Sequence, residues 1–317
     1  GDRDQLASVE AGAVLGDLTA ERGQRGVSQP FAQALDALLG GLPAEICATR
    51  TQAGLWDCTA ELNRSYRFDG QSGIANLAEA IKHGDADRAM GTLIDTRARD
   101  VQWVRAENRR GREGALKPLA LAGYSPMVTS GSASSALSAL ERFRILTPHR
   151  RGSAGVTGLN RTVGQWLGET HPSAWVGDAL SGAPIMILEN AYELGLFNGD
   201  TGVWVPGPRG NLLAHFTDSS GHVRAIHPAG LPAHEVVYAM TVHKSQGSEY
   251  DHVVLVLPDQ ISQVLTRELL YTAVTRARTQ LTVIGDERVL RAGIIAQVQR
   301  SSGLQEKLWT PAESTAT

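Results

Sequence analysis

The chain has no long apolar run, almost no cysteine and very little lysine. No stretch approaches the roughly 18 apolar residues that a membrane-spanning helix needs, and Gly1-Asp2-Arg3-Asp4 offers neither the charged start nor the apolar core of a secretory signal. These absences lead to the expectation of a soluble, cytoplasmic globular protein. The two cysteines, Cys47 and Cys58, lack the second pair and the CxxC spacing of a zinc site, so no metal ligands are expected. In a reducing cytoplasm they read as two buried thiols rather than a bridge. Net charge is −3, which excludes the whole-chain electrostatic footprint of a nucleic-acid binder and makes any such site local. Only four of the thirty basic residues are lysines, at Lys82, Lys117, Lys244 and Lys307, and none follows a glycine. The phosphate-gripping loop GxxxxGK[ST] is therefore missing from the chain. The arginine excess has two readings, phosphate recognition by planar guanidinium groups or, more simply, a genomic codon bias.

What is present is enough for a large core: 317 residues, 42% of them hydrophobic, suggest about two domains. Residues 13–39 carry apolar side chains at helical spacing, broken around Gly23 to Pro30, which predicts two short helices. Amphipathic helices are expected at Ile74 to Lys82 and Arg88 to Asp95. From Arg97 to Lys117 seven basic residues without apolar phasing read as a solvated helix and loop. Phe143 to Leu146 reads as a buried strand and Gly155 to Leu167 as the helix after it. Between Gly182 and Tyr238 the pattern changes to short strands, Pro184 to Leu188, Gly202 to Val205, Leu212 to Phe216 and Val223 to Ile226, with Gly, Asn and Pro turns between them. This predicts a small β-barrel inserted into an α/β domain. The α/β pattern resumes with strands at Val253 to Leu257 and Leu281 to Ile284 and a helix from Arg267 to Arg276.

The segment from Tyr238 to Tyr250, Tyr-Ala-Met-Thr-Val-His-Lys-Ser-Gln-Gly-Ser-Glu-Tyr, is the most informative in the chain. It places an apolar strand before a row of hydrogen-bond donors, then a glycine and an acid. Such a row can contact phosphates on one side and a nucleotide on the other. An ordinary capped turn would explain Ser245 and Gly247 but not the rest. Downstream, Glu268 to Arg278 reads as a helix ending in two arginines, Arg276 and Arg278, which compensation of the helix dipole would explain without any function.

Taken together and in this order, the two segments resemble motifs V and VI of superfamily 1 helicases. The resemblance extends upstream. Gly1 to Gly12 resembles motif III, Leu62 to Phe68 the arginine-bearing segment that opens the second motor domain, and Leu146 to Asn160 the block that follows. These five blocks fall in the family's order and span Gly1 to about Asp286, with Ala7 standing where many relatives carry proline. Ser65-Tyr66-Arg67-Phe68 with Ser72-Gly73-Ile74 and Leu77 fits the RecD branch, the alpha subunits of exodeoxyribonuclease V (RecBCD), better than stand-alone relatives.

The resemblance implies an α/β, RecA-like second motor domain at 62–181 and 239–317, an SH3-like β-barrel insertion at 182–238, and a remnant of the first RecA-like domain at 1–61. It implies ATP and Mg²⁺ as cofactors, single-stranded DNA and DNA ends as substrates, and RecB and RecC as partner subunits in double-strand break repair and recombination. By motif position, Gln5 would sense the γ-phosphate, Gly247 would lie against the nucleotide and Glu249 would meet the ribose. Arg67 and Arg276 would be arginine fingers that neutralise charge on the transferred phosphoryl group, with Arg278 structural. Thr147, His149, Arg150, Thr241, His243 and Lys244 would face the DNA backbone; either histidine alone would pass for packing or surface. Two stretches imitate the apolar strand of a Mg²⁺-binding acid pair, Leu281 to Glu287 and Val253 to Asp259. The first lies after the arginine-finger helix and the second is interrupted by Pro258, so neither is expected to bind Mg²⁺. The family places both the P-loop and those acids upstream of such a segment, so the chain alone is expected to hydrolyse no ATP. The competing expectation is a non-catalytic RecA-like module that docks DNA or a partner.

Overall fold

The computed structural model describes residues 1–6, 14–19, 26–42, 46, 48–50, 54–60, 72–298 and 303–309. Two compact units divide the chain: Gly1–Arg67 with Gln299–Thr317, and Phe68–Val298. The first holds α1 (Val14–Leu18), the short parallel pair β1 (Val27–Ser28) and β2 (Ala48–Arg50), α2 (Gln29–Leu39) between them, and α10 (Leu304–Trp309). The buried Ser28 caps α2 by accepting from Phe31 N, and its own amide donates to Asp57 at 2.8 Å. Cys58 is exposed, which corrects the reading of two buried thiols; it ends a short 3₁₀ turn, Leu55–Cys58, none of whose residues is buried. Cys47 lies outside the described residues.

The second unit runs α3 (Gly73–His83), α4 (Ala86–Ile94), β3 (Val101–Arg105), α5 (Arg109–Val128), α6 (Ala133–Leu140), β4 (Phe143–Thr147) and α7 (Val156–Thr170). A hairpin, β5 (Trp175–Val176) and β6 (Ala179–Leu180), leads into β7 (Pro184–Ile187), β8 (Thr201–Pro206), β9 (Leu212–Thr217), β10 (Val223–Ile226) and β11 (His234–Val236). Then come β12 (Ala239–Thr241), β13 (Tyr250–Val256), α8 (Arg267–Val274), β14 (Ala277–Gly285) and α9 (Glu287–Ile295).

Its centre is a parallel five-stranded sheet ordered β12-β4-β13-β14-β3. The apolar runs of β4, β13 and β14 become its middle strands because helices bury both faces of a parallel sheet, so no alternation is required of them. The helices form two groups, α3 with α4 and α8, and α5 with α6 and α7, and both reach the sheet. Their buried stripes follow the helical repeat: Ile74, Leu77, Ala78 and Ile81 in α3, and Leu116, Ala120, Tyr124 and Met127 in α5. Side-chain caps start them, Ser72 accepting from Ala75 N and Asn108 from Gly111 N. Among the described residues no helix is long and apolar enough to cross a membrane.

The basic stretch from Arg97 to Lys117 departs from expectation. It contains β3, an edge strand of the parallel sheet, and the start of α5, with Arg112 buried rather than solvated. Among the described residues β3 pairs with one strand, β14, so it tolerates the polar Gln102 and Arg105 that hid it.

The four short strands read in the sequence are all present, and β11 joins them to make an antiparallel sheet ordered β10-β9-β8-β7-β11. Among the described residues no pairing joins β10 to β11, so the ladder ends at two edges. Entry to this sheet passes through Gly182, whose φ of +79° and contact distance, 2.5 Å from an ideal Cβ to the Met127 carbonyl oxygen, leave no room for a side chain. On exit, three successive carbonyls that no strand pairs receive side-chain donors instead. Asn160 Nδ2 donates to Val236 O at 2.9 Å, Arg144 Nη1 to Val237 O at 2.7 Å, and the Tyr124 hydroxyl to Tyr238 O. The chain thus re-enters the parallel sheet at β12 by a path held from three helices and strands.

A candidate nucleic-acid and nucleotide-facing site

In an open parallel sheet the chain leaves each strand on the same edge, where crevices for ligands form. Here β4 and β12 are neighbours in register, Met240 opposite Leu146 and Thr241 opposite Thr147. Their following loops therefore emerge side by side, joined by Val242 N donating to Thr147 O at 3.1 Å. Residues 148–155 fold back on the first turn of α7: Val156 N donates to His149 O and Thr157 N to Arg150 O. Gly155 and Gly158 make this possible, since an ideal Cβ would lie 2.2 Å from Arg151 O and 2.4 Å from Gly152 O respectively. A side network locks the same loop, with the buried Arg112 paired to Asp259 and donating to Ser153 Oγ at 3.0 Å, and Ser153 donating to Asp259 at 3.1 Å.

This arrangement leaves His149 half-buried and Arg150 exposed at the rim. Thr147 does not join them. Its side chain is fully buried and the hydroxyl donates to Ala154 O at 2.6 Å, so it braces the loop from below and presents no surface to a DNA strand. On the neighbouring strand, Thr241 and His243 are half-buried and Lys244 is exposed. A 3₁₀ turn over His243–Ser245 shapes this part, with Ser245 buried and its hydroxyl donating to Val242 O at 2.7 Å. Ser245 is thus a brace in the turn.

Gly247 follows with φ +83° and no atom within 4 Å of an ideal Cβ. Backbone conformation, and not close packing within the chain, demands glycine there. Gly247, Ser248 and the exposed Glu249 line a cleft of about 430 Å³ with Arg144, Tyr250 and Arg278. Arg144 is 1% exposed, lies over the Tyr250 ring at 5.0 Å, and has no partner for Nε.

Arg276 closes the arrangement. Helix α8 ends at Val274, two residues earlier than its sequence suggests, so Arg276 sits in the turn before β14. Its guanidinium is buried, with Nε on Thr272 O at 3.2 Å and Nη1 on Ser248 O at 3.1 Å. The first bond caps the end of α8 and the second holds the Gly247–Glu249 segment. Tyr250 N donates to Arg276 O at 2.9 Å, completing the link. Arg278 pairs with Asp251 at 3.1 Å on the surface.

The structure therefore gathers five of the six DNA-facing candidates at adjacent strand ends, with Thr147 buried beneath them, and Gly247, Glu249 and Arg276 around one short segment. Gln5 belongs to the other unit, where its Nε2 donates to Asp2 Oδ2 at 3.0 Å, and Arg67 lies outside the described residues. The acids of the two imitation strands have other work: Asp286 caps α9 by accepting from Arg288 N at 2.7 Å, and Asp259 pairs with Arg112. One residue of the site escaped the sequence reading. Glu235 of β11 lies 3.2 Å from Lys244 Nζ through Oε1 and 3.7 Å from Arg150 Nη2 through Oε2. Nothing in its local pattern marks it, because its two partners are distant in sequence or follow a different strand.

Residues 236–284, which carry β12, the turn after it, α8 and most of β14, match the UvrD-like helicase C-terminal domain. The class to which this segment is similar is thus the UvrD-like helicase C-terminal domain. Across 308 residues the chain is 39% identical to the RecBCD enzyme subunit RecD of Mycolicibacterium smegmatis, covering 97% of this chain and 48% of that protein. It is 36% identical over 330 residues to the RecD subunit of Haemophilus influenzae, covering 97% and 49%. To the ATP-dependent RecD2 DNA helicase of Deinococcus radiodurans it is 31% identical over 168 residues, covering 52% and 23%. The chain belongs to the RecD family, and it spans about half the length of the curated RecD subunits it matches.

Proposed function

We propose that these residues form the second motor domain of an ATP-dependent 5′ to 3′ DNA helicase subunit, working with RecB- and RecC-like partners on DNA ends during double-strand break repair and recombination. Residues 62–181 and 239–317 make up that domain, 182–238 an SH3-like insertion, and 1–61 the end of the first motor domain. The observation that carries this reading is that one stretch, from Thr241 to Glu249, links two half-sites: at the ends of β4 and β12 stand His149, Arg150, Thr241, His243 and Lys244, and at the starts of β13 and β14 the Gly247–Glu249 segment is tied to Arg276. Hydroxyl, imidazole and cationic groups at strand ends suit backbone phosphates, which position a strand without reading its bases. Thr147 contributes as a brace for the loop.

Gly247 and Glu249 would receive the nucleotide and Arg276 would act as an arginine finger; Gln5 would sense the γ-phosphate and Arg67 would be a second finger, and a phosphate loop and Mg²⁺-binding acids would have to come from residues other than these 317. Bound Mg²⁺ would neutralise phosphate charge there. Since no lysine follows a glycine, the 317-residue chain by itself turns over no ATP. The test compares phosphate release by the full-length protein and by this chain, each with and without single-stranded DNA. Turnover that DNA stimulates only in the full-length protein is expected. DNA binding without any turnover by the full-length protein would favour a docking module, and turnover by the isolated chain would overturn the assignment of its missing parts.

A further inference from the structure

The two exposed cations of the proposed DNA-facing edge already share an anion. Glu235 directs one carboxylate oxygen to Lys244 Nζ, at 3.2 Å, and the other towards Arg150 Nη2, at 3.7 Å. Backbone on both sides fixes where this carboxylate stands. Glu235 pairs with Met186 in the β11–β7 ladder, and the Met186 sulfur is 3.5 Å from the same Nζ. One residue later, Asn160 holds the Val236 carbonyl, and Val237 N donates to Pro184 O at 2.9 Å. The acid is anchored, whereas Lys244 and Arg150 are long side chains that can turn away from it.

A carboxylate whose two oxygens face two different cations imitates a phosphodiester, whose two anionic oxygens would take the same positions. We propose that Glu235 is an internal substitute for the DNA backbone phosphate: it holds Arg150 and Lys244 when no strand is bound, and competes with the phosphate when one arrives. It is a positioning residue that acts through these cations and limits how tightly the edge grips. A motor that must release each phosphate to advance gains from such a limit. The proposal rests on the reading that Arg150 and Lys244 face the strand.

The test is Glu235→Gln in the full-length protein, with binding of a fluorescent oligothymidylate followed by anisotropy across a salt series and dissociation followed by stopped flow. Glutamine keeps the shape and removes the charge. The expected result is a gain in affinity of up to about fivefold at low salt, expressed as slower dissociation and shrinking as salt screens the site. In a Lys244→Ala background the gain should fall. A merely structural role would lower thermal stability and could not raise affinity. Unchanged or weaker binding by Glu235→Gln, with Arg150→Ala and Lys244→Ala each weakening it, would overturn this proposal and leave the DNA-facing reading standing. If neither of those two alanine variants weakens binding, the reading itself fails and the proposal fails with it.

Discussion

Arg276 reaches from the end of α8 to the main-chain oxygen of Ser248, Nη1 to oxygen 3.1 Å, and so binds the two most informative segments of the sequence into one object. The same guanidinium donates to Thr272 O, which satisfies a carbonyl left over at the helix end. Two roles meet in one side chain. The structural role is visible, and the proposed role in phosphoryl transfer requires the planar, always-charged group that this position carries.

Arg276→Ala and Arg276→Lys separate these roles. In the full-length protein both should lower ATP turnover by about 10³-fold or more, the worth of an arginine finger, while affinity for single-stranded DNA changes less than about threefold. Lysine keeps the charge but cannot span Thr272 and Ser248. Measuring steady-state turnover beside DNA binding and thermal midpoint decides the case; a matching fall in both activities would assign Arg276 to the fold alone.

Thr241→Ala and His243→Ala should each weaken single-strand binding by about fivefold, the worth of one hydrogen bond of about 1 kcal/mol. Because each substitution removes a single contact and no lysine or arginine, the salt dependence should alter only slightly, whereas Lys244→Ala should reduce its slope by close to one phosphate contact. Titrations of a short oligonucleotide at several salt concentrations check both. Unchanged affinity would remove Thr241 and His243 from the surface that meets DNA.

Asn160 holds both sides of the return from β11 to β12, donating to Val236 O and accepting from the buried Ala239 N at 2.6 Å. Asn160→Ala would leave that amide unsatisfied, and a loss of about 1–3 kcal/mol is expected. Asn160→Asp can still accept from Ala239 N but cannot donate to Val236 O, so it should recover only part of the loss. Urea denaturation of the two variants tests this ordering, and equal stability of both with the parent would show that the clamp carries no energy.

Much of this organisation was readable because it is local. The strands β4, β13 and β14 announce themselves as apolar runs, since both faces are covered. The turn signals Asn198-Gly199 and Pro206-Gly207 separate the short strands of the inserted sheet. The edge strand β3 was hidden because one open side lets it carry polar residues, and β11 because its three residues, His234-Glu235-Val236, show no periodicity. Arg112 sat inside a basic run that suggested solvent, yet its partner is Asp259, far along the chain on the exit from β13. The site divides in the same way. Residues that lie close together in sequence, from Thr241 to Glu249, could be singled out, while Glu235 became visible only when the register of β11 against β7 set it beside Lys244.

The pH dependence of stability offers a last test, centred on Asp286. The hydrogen bond from the Arg288 side chain, with the bond from its backbone amide, holds the Asp286 carboxyl below its ordinary value of 3.8. A carboxylate whose pKa is lower in the folded state contributes stability that is fully present above the unfolded value. That contribution is lost as pH falls through the folded one. The partner guanidinium is largely exposed, so the ion-pair part is small and salt-sensitive. The cap on α9 adds to it, because Asp286 also accepts from the helix's first turn. Asp286→Asn retains a capping oxygen and removes the charge; Asp286→Ala removes both. At neutral pH the alanine variant should be about 1 kcal/mol less stable and the asparagine variant closer to the parent. As pH falls below about 4, the gap between parent and Asp286→Asn should close, since the parent's carboxyl becomes protonated. Denaturant midpoints for the three proteins between neutral and acid pH measure this, and a gap that stays constant through the acid range would show that the charge on Asp286 contributes nothing to the fold.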